Sequence, residues 1–478
     1  MDYILKGHEM SDDVVSVLML FFQNEKYVRV EEAGEGLTLL SYLDEKGAGA
    51  RLYENKKEVA FFYCEKSPTP FLEEKREIKR VIGFSASMAL KKYKSLPLPW
   101  GILTGVRPAK IFTEFYESGM AEEDIRTLLK EKYLVEDYKL SLMEEVSKNE
   151  RQILKKGEGK VGIYIGIPFC PTRCLYCSFT SYPLSQYGKK KGAYLDALEK
   201  EIVFSSKYIR DKNIESIYIG GGTPTSLDEE ELERLLYLVE KYFPSPEEYT
   251  VEAGRPDTLN REKLKILKKY NVGRISVNPQ TLNQKTLDTI GRKHTVEDFI
   301  SAFYMAREEG HEHINTDIIL GLPGEKEKEV ENTFKGLEKL SPESITVHTL
   351  AVKRASRLKE QLDSFELEDY RTMDRLVNYA RECTEKMGMF PYYMYRQKNM
   401  LGNFENVGYC KENAACVYNV EIMEEKQSIL ALGAGASTKL VNRATNEIER
   451  IFNVKSVDDY ISRIDEMIKR KEEGIKWL

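Results

Sequence analysis

From residue 161 onward, short apolar runs alternate with longer amphipathic stretches. The runs are Gly162–Pro168, Ser216–Ile219, Tyr249–Ala253, Arg274–Val277, Ile314–Leu320 and Ser344–Thr349. Each is β-branched or aromatic in character and about as long as a buried strand. Between them, residues 194–209, 228–242, 261–270, 296–309 and 327–340 carry helical spacing, and Ser226-Leu-Asp-Glu-Glu offers an N-cap for the second. Six such βα units predict an α/β fold, a partial (β/α)6 barrel of parallel strands over residues 151–354.

The flanks read differently. Residues 1–150 suit a small accessory α/β domain, with Leu96-Pro-Leu-Pro-Trp100 as an extended connector and 122–148 as a charged helical linker. Residues 355–478 read as a mainly helical domain around a short hairpin, 417–423 with 428–432, turning at Glu424-Glu-Lys-Gln. Within the barrel, polar motifs recur at strand C-termini, where this architecture places chemistry. Three cysteines follow the first strand, and Gly220-Gly-Gly-Thr-Pro-Thr225 follows the second. Glu252 sits near the end of the third strand, Asn278-Pro-Gln280 ends the fourth, Asp317 lies in the fifth and His348 closes the sixth. His311 and His313 precede the fifth strand, away from that face, and read as structural.

Composition narrows the class. The 478 residues allow two or three domains, and 41% apolar with 31% charged residues can build a core and a solvated surface. A net charge of −6 argues against a general nucleic-acid binder. The apolar run Val14–Phe22 is too short to span a bilayer, and no signal peptide is evident, so a cytoplasmic protein is expected.

The seven cysteines are too few for a secreted disulfide scaffold. Three of them, Cys170, Cys174 and Cys177, share the stretch Ile-Pro-Phe-Cys-Pro-Thr-Arg-Cys-Leu-Tyr-Cys. A structural zinc site takes four ligands, usually as two separated pairs, and no histidine lies nearby. Three thiolates on one tight loop suit a [4Fe–4S] cubane with one iron left without a protein ligand. Cys410 and Cys416 are insufficient for a second cluster and read as free thiols. Arg107 and Lys110 read as surface charges. The segment Tyr392–Arg396 is equally suited to a core or to packing on a planar macrocycle.

The open iron, the glycine run and the carboxylate and amide at strand ends together resemble the radical S-adenosylmethionine enzymes. Within them the chain is similar to the oxygen-independent coproporphyrinogen III oxidases. The motifs that carry this are Tyr164-x-x-Ile-Pro-Phe-Cys170, residues 220–225, Gln280, Arg292, Asp317-Ile-Ile-Leu-Gly-Leu-Pro323 and Gly433-Ala-Gly-Ala-Ser437. Residues 103–110 and 395–400 resemble the longer coproporphyrinogen dehydrogenase, or HemZ, branch. The resemblance implies that Cys170, Cys174 and Cys177 hold the cluster. It also implies that Tyr164, Tyr176, Gly221, Gly222, Thr223, Glu252, Gln280, Arg292 and Asp317 contact one or two S-adenosylmethionine molecules, with Tyr176, Glu252 and Arg292 nearest the chemistry. It further implies a tetrapyrrole substrate, an electron donor such as flavodoxin or ferredoxin, and residues 355–478 as a cover over the barrel mouth. Two positions depart from the relatives' patterns. Phe179 stands where the bacterial oxidase has a fourth cysteine, and Tyr418-Asn-Val-Glu-Ile-Met423 lacks the His and Trp of the haem-chaperone branch.

Overall fold

The structure, a computed structural model, describes residues 1–478 apart from 23–24, 68–72, 158, 354, 398–399, 443–444, 446 and 476–478. Lys398 and Asn399 of the 395–400 motif therefore lie outside the described residues. The chain forms two compact units, Met1–Lys148 and Asn149–Leu478. Residues 355–478 thus belong to the same compact unit as the barrel strands. Among the described residues no helix is long and apolar enough to cross a membrane.

The first unit holds strands β1 (Asp2–Lys6), β2 (Val28–Arg29), β3 (Leu37–Leu43), β4 (Gly47–Glu54) and β5 (Lys57–Glu65), in the order β2-β1-β3-β4-β5. Val14, Val17 and Leu18 from the helix Ser11–Phe21 join Leu39 and Leu52 of the sheet and Val81, Ile82 and Ala86 from the helix Glu74–Tyr93 in one buried core.

The second unit is built on β6 (Val161–Ile167), β9 (Ile214–Gly221), β10 (Glu248–Glu252), β11 (Arg274–Ser276), β12 (His313–Leu320) and β13 (Ser344–Thr349). These are the six expected strands, all parallel and neighbours in sequence order. Two short strands, β7 (Phe169–Cys170) and β8 (Tyr182–Pro183), pair across the cysteine loop. The sheet does not close. On the β13 side it continues antiparallel into β15 (Asn406–Cys410) and β14 (Phe390–Tyr395). On the β6 side it continues through the parallel β16 (Ile429–Leu432) into β17 (Ser437–Asn442) and β18 (Glu447–Phe452). The C-terminal region therefore adds five strands to the barrel sheet as well as helices.

Strand alternation fixes which side chains face inward. Ile163, Ile165, Ile217, Ile219, Val251, Ile275, Ile314 and Ile345 are completely buried on the apolar face. The alternate positions place Tyr164 beside Tyr218, Tyr218 beside Thr250, and Thr250 beside Arg274. Farther along, Glu252 neighbours Ser276, Ser276 neighbours Asn315, and Asp317 neighbours Thr346. One face of the sheet is aliphatic and the other polar. The helix starting at Glu229 is capped by Asp228 in a reciprocal capping box with Glu231.

The expected hairpin at 417–432 is not formed. Val417–Glu424 is a helix, and Ile429–Leu432 pairs with β6 instead. The cause is nonlocal: Glu248 of β10 accepts the Val417 and Tyr418 amides at 2.8 and 3.2 Å, capping the helix start. Glu421, one turn on, accepts the Ser216 hydroxyl of β9 at 2.6 Å. This helix is therefore held near the N-terminal ends of the barrel strands, the end opposite the cysteine loop.

Candidate functional site

The C-terminal ends of the barrel strands open into a cavity of about 420 Å³. Every candidate site residue lines it: Cys170, Cys174, Cys177, Tyr164, Tyr176, Gly221, Gly222, Thr223, Glu252, Gln280, Arg292 and Asp317. The cysteine loop is stitched to its surroundings by backbone bonds. Leu175 donates to Ile290 O at 2.9 Å, Cys177 to Cys174 O at 3.3 Å, and Leu358 to Leu175 O at 2.9 Å. Cys170 and Cys174 are buried, and Cys177 is half-buried. Burial pushes the Cys170 thiol up to about 12, with the Thr223 hydroxyl 3.6 Å away partly opposing it. Burial likewise raises Cys177. Holding such thiols as thiolates requires a positive centre among them.

The residues fit an iron–sulfur cubane. Each thiolate of a cubane takes a different iron, so the three sulfurs need not converge. Among the described residues, no three His, Cys, Asp or Glu gather around a single ion position. At Gly222 a Cβ would come within 2.5 Å of Phe169 O and 3.0 Å of Cys170 Sγ, so only glycine leaves the cradle beside that sulfur open. Gly221 adopts φ +111°, which L side chains rarely accept. Phe179, 70% exposed, stands at the cavity rim.

Opposite the loop, the polar groups are held in defined poses. Asp317 accepts Asn315 Nδ2 at 2.8 Å and Asn278 Nδ2 at 2.9 Å on its two oxygens, and His348 Nε2 lies 3.7 Å away. Burial opposes its ionisation, but His348, Asn315 and Thr346 outweigh it and hold the carboxyl below the usual range. Glu252 behaves in the opposite way. Burial, reinforced by the nearby Asp317, raises it to about 7, although Tyr218 OH at 2.6 Å and the Gly221 amide at 3.2 Å favour its anion. Gln280 takes a left-handed φ of +68°, and its backbone bonds Asp317 O and the Ile319 amide, both at 3.0 Å. These two bonds hold a non-glycine residue in a sparsely populated conformation. Arg292 is buried beside Cys174 and Tyr176, donates to the carbonyls of Asn278 and Gly254, and leaves Nε without a partner.

Several lining residues escaped the sequence reading. Tyr218, Asn315 and Thr346 lie on the inward positions of strands that were recognised, so alternation alone could have found them. Arg255, Asn419, Ile422 and Met423 reach the cavity through tertiary packing. Tyr164 and Tyr218 line the cavity, and Tyr418 stacks behind them, at 4.4 Å from Tyr218 and 6.0 Å from Tyr164. Of the Tyr392–Arg396 segment, Tyr393 and Tyr395 line the cavity, and Tyr392 and Met394 are core. Cys416 lines the cavity, whereas Cys410 is fully buried. His311 Nε2 meets Leu264 O at 3.1 Å, a structural position.

Comparison with known proteins places this geometry. Residues 164–337 match the model of the radical SAM superfamily. The chain is 38% identical over 485 residues to the oxygen-independent coproporphyrinogen-III oxidase-like protein HemZ of Bacillus subtilis, covering 99% of this chain and 91% of that one. It is 40% identical over 193 residues to the haem chaperone HemW of the same organism, covering 40% of this chain and half of the chaperone. Among solved structures, coproporphyrinogen III oxidase (HemN) from Escherichia coli superposes with a TM-score of 0.52 at 21% identity, over 67% of this chain and 72% of that one, a likeness of fold.

Proposed function

As the chain belongs to the radical SAM superfamily, in the family of the Bacillus subtilis HemZ protein, we propose that it oxidatively decarboxylates coproporphyrinogen III to protoporphyrinogen IX without oxygen. Members of this superfamily bind a [4Fe–4S] cluster and S-adenosylmethionine, and these are the chain's cofactors. When bound, they supply the one-electron chemistry that removes a hydrogen atom from an unactivated carbon. That chemistry is needed because a propionate β-carbon has no acidic proton for a side chain to take. Removing that hydrogen, and then CO2 and one electron, leaves a vinyl group. Two propionates make the product lighter by two CO2 and four hydrogens.

The protein's part is position and exclusion of water. Cys170, Cys174 and Cys177 hold the cluster. Gly221, Gly222 and Thr223 let the methionine end of the cofactor approach the backbone. Asp317, ionised and held by two amides, and Gln280 suit ribose hydroxyls. Arg292, with its spare Nε donor, suits a carboxylate. Glu252 at about 7 can accept the cofactor's ammonium, and Tyr176 sits beside Cys174. Residues from the 355–478 region, Tyr393 and Tyr395 among them, give the macrocycle an aromatic surface, and a flavodoxin- or ferredoxin-like donor reduces the cluster. The observation that carries this reading is the gathering of all twelve candidate residues around one cavity, together with 38% identity to the HemZ protein over 99% of this chain.

A second reading, haem binding and delivery with no decarboxylation, has its own support in the identity to the haem chaperone HemW. Anaerobic incubation with coproporphyrinogen III and, separately, with haem, followed by mass spectrometry, separates them. Protoporphyrinogen IX in the first arm and unmodified, weakly held haem in the second support the oxidase. Tightly bound haem and unchanged coproporphyrinogen support the chaperone.

A further inference from the structure

Arg255, three residues beyond the end of β10, is 2% exposed and lines the cavity. Its Nε and Nη2 donate to the two oxygens of Asp257 at 2.9 and 2.7 Å. Its Nη1 reaches in the other direction, to Thr172 Oγ1 at 2.7 Å and Thr172 O at 3.4 Å. Thr172 lies midway between Cys170 and Cys174, in a stretch with no regular secondary structure. The Thr172 hydroxyl accepts from Arg255 and donates onward to Gly291 O at 3.3 Å. One threonine thus ties the first turn of the cysteine loop to the exit of β10 and to the segment carrying Arg292.

His294 Nδ1 lies 3.9 Å from Asp257 Oδ1, but burial, aided by the Arg292 charge, lowers this histidine to about 4 and leaves the ring neutral at neutral pH. Asp257 is held below the usual carboxylate range, because Arg255 outweighs the effect of its burial. Only a planar fork can bond a carboxylate on one edge and a hydroxyl and carbonyl on the other. A lysine at this position offers a point charge instead.

We propose that Arg255, oriented by Asp257, is a positioning residue for the iron–sulfur cluster: through Thr172 it holds the turn that sets Cys170 against Cys174, and so retards loss of the cluster. This inference rests on the cluster and is independent of the tetrapyrrole substrate. Partners one step behind metal ligands commonly change metal affinity by about 10–100-fold.

The test is the rate at which anaerobically reconstituted full-length protein releases iron to a ferrous chelator. It compares wild type, Thr172→Val, Thr172→Ser, Arg255→Gln, Arg255→Lys and the Arg255→Gln/Thr172→Val double variant. Thr172→Val and Arg255→Gln should each release iron about tenfold faster. Arg255→Lys should fall between them and wild type, and Thr172→Ser should match wild type. The double variant should be no faster than the faster single, because both changes remove the same contact. The thermal midpoint of the iron-free protein should be unchanged by Thr172→Val, which keeps the test readable if Arg255→Gln folds poorly. Three results would overturn the proposal: wild-type release by Thr172→Val, equal behaviour of Thr172→Ser and Thr172→Val, or single-variant effects that multiply in the double.

Discussion

Both ends of the barrel interior are lined by buried polar groups, and they differ in what those groups face. At the strand N-termini, Arg274 bonds Glu248 at 2.6 Å and the carbonyls of Ala414 and Ala415 at 3.0 and 2.8 Å. Glu248 in turn accepts two amides and the Cys416 thiol. The charges of this ion pair are met by protein partners and its product is a docked helix, although Arg274 and Cys416 also reach the cavity. At the strand C-termini, the Arg292 Nε has no protein partner, the three thiols face a cavity, and Glu252 and Asp317 are held with their carboxyls along its wall. Alternation supplies inward polar positions at both ends. A group satisfied by the chain is scaffold, and one fixed but left partly unsatisfied is offered to a ligand.

The contrast breaks most completely at the cysteines. Replacing Cys170, Cys174 and Cys177 together by Ala should abolish reconstitution of about four irons per chain and the EPR signal on reduction. Replacing Cys410 and Cys416 should leave both. At the scaffold end, Glu248→Ala leaves a buried guanidinium uncompensated and should cost about 3–5 kcal/mol, read as a lower unfolding midpoint of the iron-free protein. Asp317→Ala at the ligand end takes the acceptor from the Asn278 and Asn315 amides and should lower that midpoint by less, at a cost of about 1–3 kcal/mol. It should also weaken S-adenosylmethionine binding by about 1 kcal/mol or somewhat more, measured by calorimetry on the reconstituted protein.

The smallest effect is a pH slope. Glu252 titrates near 7 in the folded protein, against an ordinary 4.5. The folded state therefore keeps a proton that the unfolded chain has lost, and this group's contribution to stability declines as pH rises between those two values. Glu252→Gln should remove that decline, so the iron-free variant should gain on wild type between pH 5 and pH 8. Parallel melting curves for the two proteins would contradict the assignment.

Much of this molecule is legible in its sequence. The six strands of the barrel and the helices between them follow from local periodicity, because each strand is bounded by turn residues and buried by its own neighbours. The cysteine spacing and the glycine run announce a site because their chemistry is local too. What the sequence could not convey were pairings across long separations. Residues 417–423 contain β-branched and aromatic residues and read as a strand, yet a carboxylate 169 residues earlier caps them as a helix. Thr172 looks like an ordinary loop residue until Arg255 is folded against it. Polar residues inside recognised strands, such as Asn315 and Thr346, were within reach of the alternation rule. Within strands that read as continuous apolar runs, such residues carry no separate signal.

The central claim is that the cavity at the strand C-termini couples cofactor cleavage to decarboxylation. The direct test is an anaerobic time course with reconstituted protein, S-adenosylmethionine, a reductant and coproporphyrinogen III, in which 5′-deoxyadenosine and the tetrapyrrole are quantified together. The account predicts deoxyadenosine appearing in step with loss of CO2, two equivalents for each protoporphyrinogen IX formed. Deoxyadenosine accumulating while the tetrapyrrole mass stays unchanged would contradict it.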